Sequence, residues 1–141
     1  MLKIPRWQKQ WLKASALLLL LSGCAWLALH LGQCPDELPS PWAPWLMKLH
    51  GLAGFSTLLA LGALMGHHVP AGWRFSRWHA RHRQRASGIV LSTVLSVCVL
   101  SAYVLYYFAP ETWRDAIGWV HAALGALACT IWFVHRPRRA H

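Results

Sequence analysis

Five histidines stand at the ends of apolar stretches: His50 opens one, His67 and His68 close it, and His121 and His135 bracket the last. An imidazole at the edge of hydrocarbon is costly to keep there, which marks it as a functional residue by default. Neutral imidazole is also a common axial ligand for haem iron. The chemistry these residues suggest is therefore one-electron transfer at bound haem, with metal binding of another kind as the alternative.

Spacing sharpens this. His121 and His135 are fourteen residues apart, which on an ideal helix is about 21 Å along the axis and about 40° short of the same face. His50 and His68 are eighteen apart, close to five turns, while His67 is turned by about 100° from that face. His67 nevertheless gives an axial separation nearer that of the His121–His135 pair, so both stay candidates. His50 is followed four residues later by Gly54 and His121 by Gly125. A glycine one turn from a ligand removes the side chain that would keep a flat macrocycle away from the helix.

The elements that must carry these residues are legible in the hydropathy. Hydrophobic residues make up 56% of the 141, ten residues are Trp, and the apolar residues fall into four blocks, residues 11–31, 45–69, 86–108 and 117–135. Each approaches or exceeds the roughly 20 residues that cross the hydrocarbon of a bilayer. A lone span satisfies its backbone in lipid only as a helix. The chain is thus predicted to be all-α: an integral-membrane antiparallel four-helix bundle, one transmembrane domain over residues 1–141. Pro35, Pro39, Pro41 and Pro44 separate helices 1 and 2, Pro70 and Gly72 are expected to stop helix 2, and Pro110 divides helices 3 and 4. Trp11, Trp42, Trp45, Trp73, Trp113 and Trp119 fall near block ends, where amphipathic rings favour the interface.

The net charge is +10, and twelve of the fourteen Lys and Arg share one side of this topology. Lys3, Arg6, Lys9 and Lys13 precede helix 1, Arg74, Arg77, Arg81, Arg83 and Arg85 lie between helices 2 and 3, and Arg136, Arg138 and Arg139 follow helix 4. The positive-inside rule puts both termini and the central loop in the cytoplasm. That explains the basic residues without a nucleic-acid partner; the lipid bilayer is the partner they imply. The chain has no nucleophile–base–acid set, phosphate loop or close carboxylate pair, so hydrolytic chemistry is not expected.

Helix 1 contains Leu21-Ser22-Gly23-Cys24, which resembles a lipoprotein cleavage site, but Ala25 to Leu29 continue the apolar run, and helix 1 is read as retained. Cys24, Cys98 and Cys129 read as small core residues, and Cys34 stands in the outer loop. Ser87-Gly88 at the start of helix 3 could permit close packing against an inner haem, or equally against a neighbouring helix. With helices 2 and 4 running the same way, His50 and His121 share the outer level, and His67 or His68 shares the inner level with His135.

This pattern resembles the four-helix di-haem b-type cytochromes of bacterial membranes, a group that includes the cytochrome b561 class and the cytochrome b subunits of formate dehydrogenases and nickel-iron hydrogenases. In that group helix 4 carries two haem ligands fourteen apart, matched by His121 and His135, and helix 2 supplies an outer partner, matched by His50. The departure is in helix 1, whose cytoplasmic start has no histidine, so the inner site must use His67 or His68, or His82 if the central loop folds back. The resemblance implies two haem b groups, or one if the inner site fails, and a multi-pass protein of the bacterial inner membrane. It also implies electron exchange with quinone or quinol, or with a partner dehydrogenase or soluble cytochrome. Arg85 and its neighbours Arg74, Arg81 and Arg83 are candidate partners for haem propionates. Two alternatives are a transition-metal-binding membrane protein and a haem-free structural subunit.

Overall fold

A computed structural model describes residues 5–34, 36, 38–78 and 82–135, with side chains described for these apart from 67–78, 82–85 and 134. Among the described residues the chain is all helix: α1 (Arg6–Gly32), α2 (Ala43–Trp78), α3 (His82–Tyr107) and α4 (Glu111–His135). Each contains a stretch long and apolar enough to cross a membrane: Arg6–Gly32, Ala43–Gly66, Ala86–Tyr107 and Glu111–Phe133.

Several helix ends differ from the sequence expectation, among them the start of α3 at His82 instead of residue 86. α2 does not stop at Pro70 and Gly72 but continues to Trp78. A proline within a helix removes one N–H donor and crowds one carbonyl, whereas continuing to Trp78 adds a backbone hydrogen bond for each further helical residue. α4 starts at Glu111, six residues before the apolar block, because Pro110 offers its carbonyl to the N–H groups of Trp113 and Arg114, each at 3.0 Å. Glu111 in the first turn also suits the positive end of the helix dipole. α1 likewise begins directly after Pro5, ahead of the apolar block.

The chain divides into two compact units, Met1–Gly72 and Trp73–His141. In the first, α1 and α2 run antiparallel, since Trp11 pairs with Ser56 and Ser22 with His50: one number rises as the other falls. Their seam is made of small and polar residues. Leu12, Ser15 and Ser22 of α1 and Ala53, Thr57 and Ala60 of α2 are buried, at spacings of three, four and seven that keep one stripe of each helix against the other. Small side chains let backbones approach closely, as contacts between apolar helices require. Ser15, Ser22 and Thr57 return their hydroxyls to carbonyls of their own helix, so burying them leaves no donor stranded.

The second unit repeats the arrangement with α3 and α4, where Ser87 meets His135 and Ser101 meets His121. Leu91 and Ala128 are the buried apolar residues of that seam. Outside the seams the helices present their large apolar side chains, with Leu21 57% and Leu100 62% exposed. Cys24 belongs to this outer surface and is exposed, not in the core as expected. It lies two residues past Ser22, about 200° around the helix from the buried stripe. Cys98 and Cys129 are half-buried and Cys34 is exposed.

Candidate functional site

His50 sits on the α2 stripe that continues through Ala53, Thr57 and Ala60, so the packing that joins α2 to α1 also carries its ring onto α1. There its Nδ1 lies 3.0 Å from the Leu19 carbonyl oxygen and 3.2 Å from Ser22 Oγ. A carbonyl only accepts, so the proton is on Nδ1 and the imidazole lone pair is on Nε2. Ser22 donates its own proton to the same Leu19 carbonyl at 3.1 Å, which leaves its oxygen to accept from the ring. The ring edge fits because residue 23 is glycine: a Cβ there would stand 2.9 Å from His50 Cε1, well inside carbon–carbon contact distance.

His121 is held in the same way within the other unit. Its Nδ1 is 2.9 Å from Ser101 Oγ and 3.8 Å from Cys98 Sγ. Ser101 gives its proton to the Cys98 carbonyl at 2.7 Å, so its lone pairs face Nδ1–H and the imidazole lone pair again falls on Nε2.

His135, fourteen residues on, shares the face with His121. At the 3.5-residue repeat of packed helices fourteen residues are four whole turns, and the 40° shortfall of an ideal helix disappears. Its Nδ1 is 2.9 Å from Ser87 Oγ, and a Cβ on Gly88 would lie 3.2 Å from its Cε1.

The glycines expected to border a macrocycle are positioned differently. A Cβ on Gly54 would meet only Leu19 Cδ1, at an ordinary 3.6 Å, and one on Gly125 would meet nothing within 4 Å. Packing within each unit therefore requires neither to be glycine. Gly23 and Gly88 are the ones the histidines require.

The side chains of His67, His68, His82 and Arg85 lie outside the described residues, as do those of Arg74 and Arg83 and all of His79 and Arg81. The expected pairing of His50 with His121, and of His135 with His67 or His68, joins the two units and rests on the sequence. His30 is exposed and stacks on Trp26 of its own helix, centroids 4.9 Å apart. Tyr103, Tyr106 and Tyr107 form an exposed ring cluster at the end of α3.

The donor set suits one kind of metal centre better than another. Among the described residues no three His, Cys, Asp or Glu side chains gather as the ligands of a small ion would. Haem asks less of the protein, because the porphyrin fills four positions and an imidazole Nε2 is needed only on each axis. Two of the three seated histidines carry the tautomer such a ligand needs, fixed by acceptors at Nδ1 as metal-binding imidazoles commonly are.

Serine and carbonyl acceptors of this kind were not singled out by sequence, although both Ser-Gly steps stand out in it. The first reads as part of a cleavage-like motif and the second as a packing site; each instead seats a histidine. Comparison with protein-family models, with curated proteins and with solved structures finds no match to this chain.

Proposed function

We propose that this chain is a membrane b-type cytochrome that carries electrons through haem held by its histidines. The observation that supports it most is the Nδ1-bonded state of His50 and His121, each tied to an acceptor on the preceding helix of its own unit. Donation from Nδ1 puts the lone pair on Nε2, the atom with which an imidazole ligates haem iron. The four apolar helices and their exposed leucines support a bilayer setting. In this reading the helices cross the bacterial inner membrane as an antiparallel bundle, with both termini and the arginine-rich central loop on the cytoplasmic side.

His50 and His121 would hold an outer haem b, and His135 with His67 or His68 an inner one. Haem supplies reversible one-electron exchange at its iron. The protein's part is to present Nε2, keep Gly54 and Gly125 clear of side-chain bulk, and hold the ligands on helix seams whose serine contacts tune the potential. Arg85 and its neighbours are the cations available to propionates at the inner level. Quinol or a separate redox subunit would exchange electrons at a membrane face.

The serine contacts also favour a second reading, a haem-free structural subunit in which the same hydrogen bonds only lock paired helices together. A reduced-minus-oxidised visible spectrum of the full chain, expressed with ample haem and purified in detergent, separates the two. A b-type spectrum is expected; a colourless protein would leave the structural reading.

A further inference from the structure

We infer that Ser101, Ser22 and Ser87 are positioning residues that seat His121, His50 and His135 through Nδ1 and tune their ligand strength, and through them the haem potentials; this deepens the cytochrome reading and rests on it. Among the described residues, the three histidines whose side chains lie on a helix seam all end with Nδ1 on a serine hydroxyl of the preceding helix, at 2.9, 3.2 and 2.9 Å respectively. The contrast is His30, which is off the seam and stacks on a tryptophan of its own helix.

In two of the three the serine is followed by the glycine that admits the ring edge, Ser22-Gly23 and Ser87-Gly88. The pair acts as one seat, with the hydroxyl fixing the nitrogen and the missing side chain fixing the distance. One seat receives a histidine near the start of its helix and the other a histidine at the end of its helix. The device therefore follows the seam geometry and not chain direction.

In two of the seats the serine shares the histidine with a backbone group. Nδ1–H of His50 also has the Leu19 carbonyl at 3.0 Å, which no side-chain substitution removes. His121 likewise has a backbone hydrogen bond at Cys98, beside the Ser101 oxygen at 2.9 Å and the softer Cys98 sulfur at 3.8 Å. An acceptor at Nδ1–H raises electron density on Nε2 and makes the imidazole a stronger ligand, favouring the oxidised iron. Removing Ser101 or Ser22 should therefore raise a potential.

The test is a redox titration, with low-temperature electron paramagnetic resonance of the oxidised form, on the haem-loaded full chain and its Ser101→Ala, Ser101→Thr and Ser22→Ala variants. Ser101→Ala is expected to shift one haem's reduced-to-oxidised ratio by about fivefold, roughly 40 mV upward at 59 mV per tenfold for one electron. Ser101→Thr, which keeps the hydroxyl, should restore the wild-type value, and Ser22→Ala should raise the potential of the same, outer haem. Loss of haem from Ser101→Ala with retention in Ser101→Thr would equally support the seat. Ser101→Ala with full haem and unshifted potential and resonance overturns the inference alone. A wild-type chain without haem overturns the cytochrome reading on which it rests.

Discussion

Gly23→Ala is the substitution for which the geometry makes the sharpest demand. Gly23 lies within α1 (Arg6–Gly32), where alanine on helix propensity alone would be more stable by about 0.5–1 kcal/mol. The added Cβ would stand 2.9 Å from His50 Cε1 and 3.2 Å from Nδ1. Carbon atoms settle at about 3.5–4.0 Å, so the ring must withdraw by about 0.6–1.1 Å. That retreat stretches the bonds to Leu19 O and Ser22 Oγ, 3.0 and 3.2 Å in the native chain, to or beyond hydrogen-bonding range. Two such bonds are worth about 1–3 kcal/mol together, so the net effect on stability runs from near zero to a loss of about 2 kcal/mol. In the cytochrome reading the effect on ligation is larger in consequence, because a ligand displaced by most of an ångström and loosened at Nδ1 would no longer address the iron. Haem per chain by the pyridine assay, with thermal unfolding in detergent, should show the outer haem lost or weakly held and Tm unchanged or lowered. Gly125→Ala is the counterpart: with open space around its Cβ, it should leave Tm unchanged or raised while reducing haem content. A Gly23→Ala protein with full haem and a raised Tm would refute the seating of His50 on α1.

His121→Ala should remove one haem and leave the other, because its pair is expected at the outer level and His135 at the inner; visible spectra that retain both haems would refute the pairing. His67→Ala and His68→Ala, made separately, should abolish the inner haem in only one case, read as haem per chain. Full haem in both would move the ligand elsewhere, with His82 next in line. A reporter active only after export should be silent at the C-terminus and active when placed in the 33–44 loop, and the reverse pattern would overturn the proposed orientation.

The four helices were legible because membrane-length apolar blocks leave the backbone one economical solution, and hydropathy reports composition directly. Their ends were less legible. Glu111, Arg114 and Asp115 make the first turn of α4 look polar, yet charges at a helix start are compatible with helix and, for Glu111, favourable. Pro70 reads as a stop because its cost is local and visible, whereas the benefit of continuing α2 to Trp78 is spread over the turn beyond it. The common face of His121 and His135 was legible from a spacing of two heptads. What faced them was not. Leu19, Ser22 and Gly23 meet His50 only once the register between α1 and α2 is known, and that register is set by the Leu12, Ser15, Ala53, Thr57 and Ala60 seam, a property of two helices together. Cys24 was misjudged for the same reason, since only the position of the seam says which face of α1 is turned away.

The measurement that bears most directly on the cytochrome reading is the number of haems bound per wild-type chain, counted by the pyridine assay on protein purified after expression with ample haem. Two haem b per chain are expected, one for His50 with His121 and one for His135 with a helix-2 histidine. A chain that takes up none would contradict it.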